Sequence, residues 1–417
     1  MFGLVLTLLS VGYCAMESSD EGDMSSSSDS QYINLRNVTL KSSLINCTGL
    51  NICHFNAASI FNKMDEMRNL FDGVKFDIIA VTESWLKPHH SNKSVALNGY
   101  KCFRNDRVTR GGGIVIYVRE TITANVIKHS ECSSIEYLFL ELRCSSLRVL
   151  FSCIYNSHGS NDISCLLNQL SFFSPLYSNI VVTGDFNLDL LDPNKFRFIS
   201  TSLSASALKI VPRTEPTRYP SNISDTAPSL LDYFVVSDVN KISFYGQISS
   251  GFSDHDIIYI SYNLNYEKLF DNHFYFRDFK NLNLSDVLTK FYQLPWNNIY
   301  YIADIDDKVD FFNGSLQKIF DECVPLKRIV RRSDIPVWFN NNILKAIEER
   351  DIAQTTFRRN KTLENQTIFR RLRNKVNLLI RLAKKSFWET KLSTNVSSKR
   401  LWKNITELGF CKDQVKQ

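Results

Sequence analysis

The sequence predicts an α/β sandwich followed by a region of basic helices. Three observations carry that prediction. Short apolar runs rich in β-branched residues recur from Leu50 to Ile258, with few helical stretches between them and no regular repeat. Several of these runs end in a polar side chain, as strands do where they emerge at a sheet edge. Beyond about residue 266 the texture changes to a helical period with basic residues between the apolar positions.

The apolar runs account for the body. Leu50–Asn56 alternates and ends in an amide, Phe76–Leu86 delivers Glu83, and Ile114–Val118 follows the triplet Gly111-Gly112-Gly113. That triplet precedes a strand and not a helix, so it reads as a flexible connection rather than a phosphate loop. Tyr137–Leu142 and Arg148–Tyr155 are two further strands. Ile180-Val181-Val182-Thr183-Gly184-Asp185-Phe186-Asn187 is a buried strand closing on a glycine turn. If the chain stays extended there, Asp185 and Asn187 point to one side and Phe186 to the other. Leu230–Val236 carries Asp232, and Ser253–Ile258 carries Asp254 and His255.

The flanks differ in character. Residues 1–15 are apolar and end in Ala15; their length suits a secretory signal, although no basic residue precedes them. Residues 16–45 are expected to be a disordered acidic, serine-rich linker. The folded body is placed at 46–265 and the helical basic region at 266–417. Residues 327–403 hold 20 Lys and Arg against 6 Asp and Glu, an excess of 14 in a chain whose overall balance is only +6. That asymmetry points to a polyanionic partner. The ten cysteines show no C-x-x-C spacing, which argues against zinc and against a disulfide framework. No stable membrane insertion is expected.

Polar groups converging at the ends of several strands are how α/β enzymes build a site. The set Asn56, Glu83, Tyr155, Asp185 with Asn187, Asp232, and Asp254 with His255 suits hydrolysis of a phosphodiester. Glu83 is a ligand type for a hard cation such as Mg²⁺ (or Mn²⁺). His255 titrates near neutral pH and is suited to take a proton from water, with Asp232 or Asp254 fixing its tautomer. Asn56 and Asn187 donate hydrogen bonds to a phosphate without adding negative charge.

Asn56, Thr82-Glu83-Ser84, Tyr155, Gly184-Asp185-Phe186-Asn187, Leu231-Asp232-Tyr233 and Ser253-Asp254-His255 occur in an order that resembles the endonuclease/exonuclease/phosphatase (DNase I-like) superfamily. Within it the wording is most similar to the endonuclease of non-LTR retrotransposons of the jockey or chicken-repeat type. Gly111–Gly113 before Ile114–Arg119, and Pro216-Thr217-Arg218, share that likeness. So do Pro336-Val337-Trp338-Phe339 and Lys399-Arg400-Leu401-Trp402, which resemble the connector ahead of the reverse transcriptase.

The resemblance implies a four-layer sandwich of two packed mixed sheets flanked by helices. It implies Glu83 as the main metal ligand with Asn56 beside it, Asp185 at the water and Asn187 at the phosphate. It pairs His255 with Asp232, puts Asp254 at the metal or histidine, and sets Tyr155 against the phosphate or leaving group. Thr217, Arg218, Arg370, Arg371 and Arg373 are the expected nucleic-acid contacts, with DNA as partner and element RNA at the basic helices. Asp256, next to His255, is expected to alter the histidine's pKa.

The expected function is therefore Mg²⁺-dependent nicking of DNA by an endonuclease derived from a retrotransposon reading frame. Two rivals stand beside it: another phosphoesterase of the same fold, such as a secreted nuclease, sphingomyelinase or inositol-phosphate phosphatase, and a non-catalytic DNA-binding protein. No Tyr-x-Asp-Asp stretch is present, so a truncated element or a fragmentary gene is expected rather than a whole polymerase. The function predicts a nuclear protein, or a secreted one if residues 1–15 act as a signal.

Overall fold

The computed structural model describes residues 35–393, apart from 45–46, 48, 131–134, 145–146, 158–161, 225–226, 265–272 and 331–334, together with Asn404. The segment 1–15, the serine-rich stretch 17–30 and Lys399–Trp402 lie outside the described residues. Contacts divide the chain into two compact units, one holding Leu269–Arg332 and the other Ser30–Lys268 with Ser333–Gln417.

In the larger unit, helix α1 (Leu35–Ser43) comes first. A disordered linker was expected over 16–45, and for 35–43 that is corrected. The acidic, serine-rich composition stops near residue 30, and Leu40 and Leu44, one helical turn apart, are buried against the sheet that follows.

The sandwich then begins with β1 (Leu50–Asn56), α2 (Met64–Phe71) and β2 (Ile78–Thr82). Next come β3 (Tyr100–Asn105), β4 (Ile114–Arg119), β5 (Thr123–His129), β6 (Ile135–Cys144) and β7 (Leu147–Asn156). Helix α3 (Ser164–Phe173), β8 (Asn179–Asp185), α4 (Pro193–Ser204) and β9 (Lys209–Ile210) follow. The last three strands are β10 (Asp232–Val236), β11 (Ile242–Ser249) and β12 (Asp256–Tyr262). One sheet has the order β11-β12-β1-β2-β4-β3 and the other β5-β6-β7-β8-β10-β9. Both are mixed, because β1 runs parallel to β2 and β7 parallel to β8 while the remaining pairs are antiparallel.

Strand alternation explains the layers. Leu50 and Ile52 of β1, Ile78 and Ala80 of β2, Phe151 and Cys153 of β7, and Val181 of β8 share one core between the two sheets. Their odd or even neighbours turn outward. Cys53 and Phe55 pack beneath α1 and α2, whereas Ile180 and Val182 pack against α3 and α4. Helix, sheet, sheet, helix is the four-layer sandwich the resemblance implies.

The smaller unit pairs β13 (His273–Arg277) antiparallel with β14 (Leu326–Val330), and between them run α5 (Leu284–Gln293) and α6 (Ile305–Cys323). Two long helices close the described chain, α7 (Asn341–Arg359) and α8 (Leu363–Ser393). The sequence grouped these two with the 266–417 region, but by contacts they belong to the same unit as the sandwich. They form a hairpin sealed by Ile343, Ile347, Val376 and Ile380, and by Phe357 stacked on Phe369. No described helix is long and apolar enough to cross a membrane.

Candidate active site

The apolar stripe between the sheets turns polar at one end. Along the same faces that carry Ile52, Ala80, Cys153 and Val181, the chain places His54 and Asn56, Thr82, Tyr155, and Thr183 and Asp185. The antiparallel strand β10 begins at that end with Asp232, two residues before the core residue Phe234. Residues far apart in sequence therefore meet where the two sheets part.

Asn56 sits at the centre. Its amide Nδ2 donates 2.8 Å to Glu83 Oε1 and 2.8 Å to Asp185 Oδ2, while its Oδ1 accepts from the Ala58 N–H at 3.0 Å. One amide thus joins carboxylates from opposite sheets. Tyr155 Oη donates 3.0 Å to Glu83 Oε1, and Trp85 Nε1 donates 3.2 Å to Oε2. Burial and the Glu83 charge raise the Tyr155 hydroxyl well above its ordinary pKa, so it stays a donor.

The turn that presents Glu83 is built by its neighbours. β2 ends at Thr82, earlier than the apolar run to Leu86 suggests, because Glu83 and Trp85 adopt left-handed φ of 49° and 54°. The Ser84 and Trp85 N–H groups donate to the Gly113 and Gly112 carbonyls at 3.0 and 2.9 Å. Gly113 N in turn donates 2.6 Å to Glu136, whose other oxygen pairs with Arg107 at 3.2 Å. The glycine triplet was expected to be a flexible connection. It is instead a braced turn whose positive φ values of 81°, 65° and 87° present those carbonyls.

Asp185 is the last residue of β8. An added Cβ at the preceding Gly184 would lie 1.9 Å from the Ile154 carbonyl oxygen, so only glycine lets β8 approach β7 closely enough. The chain does not stay extended beyond it. Asn187 has φ 51°, its N–H returns to Asp185 Oδ1 at 3.0 Å, and its amide donates 2.8 Å to the Asn156 carbonyl. Phe186 stacks flat on Tyr233 with centroids 4.1 Å apart. Burial first, and then the nearby Asp232 charge, raise the Asp185 carboxyl to about 7.

His255 is held from the other side. Its Nδ1 donates 2.7 Å to Asp232 Oδ2, and its Nε2 lies 4.0 Å from Asp185 Oδ2. Burial alone would depress the imidazole, but the Asp232 charge and hydrogen bond, aided by Asp185 and Asp254, raise it to about 10. Asp256 is not among the main causes. It is bound instead to Gln247 Nε2 at 2.9 Å and Arg358 Nη2 at 2.8 Å, which corrects the expectation that it tunes the histidine.

The residues expected at DNA divide. Thr217 is wholly buried; its hydroxyl donates 2.7 Å to Asp232 and accepts from two backbone N–H groups, so it holds the carboxylate and does not reach a nucleic acid. Arg218 Nε donates 3.2 Å to Asp254 at the half-exposed rim. On α8, Arg370 and Arg371 are exposed and Arg373 is half-buried; Arg370 donates 2.6 Å to Asn222.

His54, to which sequence reasoning assigned no role, lies in the same layer. Its Nε2 meets Thr82 Oγ1 at 3.2 Å, and its Nδ1 stands 3.6 Å from Asp232 Oδ1. Its place two residues before Asn56 on one strand was the available signal. Lys63, also missed, bonds the Ala57 and Ala58 carbonyls that follow Asn56.

Asp185, Asp232 and His255 offer ligand atoms within 4.8 Å of one another. The tight His255–Asp232 bond occupies that side, however. Glu83 is half-buried and paired with no cation among the described residues, and it faces the buried Asp185, which stands 4.0 Å from His255 Nε2; the Asn56 amide reaches both carboxylates. This donor set fits a hard divalent ion.

Residues 50–255 match the Endonuclease/Exonuclease/phosphatase family, in agreement with the resemblance carried by the motifs. Among solved structures the chain is similar to the endonuclease domain of TRAS1, a telomere-specific non-LTR retrotransposon, at 12% identity and TM-score 0.40, over 52% of this chain and 99% of that one. It is similar to the 3′ phosphatase NExo from Neisseria at 14% identity and TM-score 0.40, over 52% of this chain and 100% of that one. The AP endonuclease from Archaeoglobus fulgidus aligns at 13% identity and TM-score 0.39, over 52% and 100% respectively. No curated protein sequence matches the chain.

Proposed function

We propose that the chain is an Mg²⁺-dependent endonuclease that hydrolyses DNA phosphodiester bonds, of the kind encoded by non-LTR retrotransposons. The observation that carries this reading is the Asn56 amide tying Glu83 of one sheet to Asp185 of the other, with Tyr155 and the His255–Asp232 pair around them. The retrotransposon origin rests on the sequence motifs alone.

Glu83 would hold an Mg²⁺ or Mn²⁺ ion, with Asp185 facing it across the Asn56 amide; such an ion supplies stabilisation of negative charge on the phosphoryl group. Asp185, raised to about 7, is suited to accept the proton of the attacking water. That role shifts away from His255, which is raised to about 10 and stays protonated at neutral pH. His255 instead donates Nε2–H toward the phosphate, and Asp232 keeps it charged and oriented. Tyr155 donates beside it, and Asn187 lines the phosphate side. Arg218, Arg370, Arg371 and Arg373 supply positive charge for the DNA backbone. The RNA partner suggested by the resemblance has no observation of its own and is not part of this reading.

The test is plasmid nicking with Mg²⁺ by the wild type and by Glu83→Ala and His255→Ala. Nicking by the wild type that both substitutions abolish supports the reading. Hydrolysis of lipid or inositol phosphates with no action on plasmid would transfer it to another phosphoesterase of this fold. Retardation of DNA without cleavage would leave only a binding protein.

A further inference from the structure

The loop 249–256, which carries Asp254 and His255, is gripped by parts of the chain outside residues 50–255. From α1, Arg36 Nη1 donates 2.9 Å to the Ser250 carbonyl, and an added Cβ at Gly251 would collide with this guanidinium. From α7, Gln354 accepts from Ser249 Oγ at 3.0 Å and donates to the Ser253 carbonyl at 3.4 Å. One turn further on, Arg358 pairs with Asp256 at 2.8 Å and lies 4.1 Å over the Tyr219 ring. The two grips are themselves joined. Arg36 pairs with Asp351, Asp351 with Arg350 at 2.9 Å, and Arg350, only 1% exposed, with Glu66 of α2 at 2.6 Å.

Inside the loop every turn is also bonded. Ser250 Oγ donates 2.7 Å to the His255 carbonyl, and Ser253 Oγ donates 2.7 Å to the Asn56 carbonyl. The loop therefore transmits the position of its ends to His255 and Asn56 together. A buried arginine with two carboxylate partners is costly to leave unpaired, which makes the docked position of α7 well determined.

We infer that the α7–α8 hairpin, with α1, is a clamp that positions His255, and that Arg358 acts as a positioning residue through Asp256. This rests on the endonuclease reading for its activity readout. It changes the meaning of the basic helices: Arg350 and Arg358 serve the site internally, and the outward residues, such as Arg359 of α7 and Arg370 and Arg371 of α8, remain for a polyanion.

The test uses the full-length chain with Arg358→Ala, Arg358→Lys and Asp256→Asn. Arg358→Ala is expected to lower kcat for nicking roughly 10- to 100-fold, the scale of a displacement of about 1 Å, with KM for DNA within about threefold. Arg358→Lys, which keeps one ion pair, should recover most of the rate. Arg358→Ala combined with Asp256→Asn should lose no more than either alone. A rise in KM at unchanged kcat would mean that Arg358 contacts DNA, and would overturn the inference. Amide exchange over 249–257 provides a readout that needs no substrate. Arg358→Ala should speed exchange there and leave β6 unchanged, even if the wild type proves not to cut DNA; unaltered exchange in the loop overturns the clamp whatever the activity.

Discussion

His255 Nδ1 and Asp232 Oδ2 are 2.7 Å apart at a place where the histidine is 5% and the aspartate 0% exposed. The partnership fixes the tautomer and the charge of the imidazole together. Asp232→Asn should let the His255 pKa fall toward its ordinary range, readable by NMR titration, and cut nicking roughly 100-fold or more. A His255 titration unmoved by that substitution would show that another group sets its charge.

The same pair makes a statement about stability. A histidine raised from 6.5 to about 10 favours folding fully below the unfolded pKa, and loses that contribution as pH rises through the folded one. The difference in unfolding free energy between the wild type and His255→Gln should shrink as pH rises from 6.5 toward 10, by about 1.4 kcal/mol for each unit of the shift. Taking the difference cancels Lys63, which burial pushes down to about 8 and whose contribution rises with pH, whereas His54, held down by burial and in part by the His255 charge, titrates at about 4, below this range. Urea titrations at a series of pH values measure it.

Asp185→Asn removes the proposed proton acceptor and keeps its shape. Turnover should be lost while most Mg²⁺ affinity is retained through Glu83, as isothermal titration would show. The wild-type rate should climb with pH through a limb near 7, or lower when the divalent ion is bound, because the carboxyl must be ionised to accept a proton. A mutant that loses Mg²⁺ binding altogether would reassign Asp185 to the metal alone.

Thr217→Val keeps the volume and deletes the hydroxyl that bonds Asp232. It should cost about 1–3 kcal/mol of stability and slow the reaction, yet leave DNA affinity unchanged, since the residue is buried. Weaker DNA binding without loss of stability would restore it as a contact.

Gly184→Ala drives a methyl group into the Ile154 carbonyl oxygen, and the clash is with backbone rather than a movable side chain. A loss of about 3 kcal/mol or more is expected, seen as a sharply lowered thermal midpoint. A midpoint within a degree or two of wild type would show that β8 can shift away from β7.

Much of this was legible in the chain because strand periodicity is a local property. Ile180–Val182 and Ile78–Val81 declare buried strands, and the polar residues ending them declare an edge. Left-handed backbone at Glu83 was not legible, since glutamate does not favour it and the constraint comes from distant carbonyls; at Asn187 the residue type permits it, but only the contacts of Asp185 and Asn156 require it. The brace from Glu136 to Gly113 spans 23 residues and two sheets, so the triplet read as loose when seen alone. The α7 basic residues were visible as charge, but charge does not reveal its partner. Arg350 and Arg358 resemble Arg371 in sequence and differ only in what packs against them.

The division of the site between sheets has a bearing on biosynthesis. Asn56 and Glu83 follow strands of one sheet, Tyr155, Asp185 and Asp232 lie on the other, and His255 arrives only after almost the whole sandwich has been made. With the sheets apart, each contact that crosses between them is broken, namely Asn56 with Asp185, Tyr155 with Glu83 and His255 with Asp232, while the Asn56–Glu83 bond lies within one sheet. Under the endonuclease reading, cleavage of DNA waits on the docking of the two sheets.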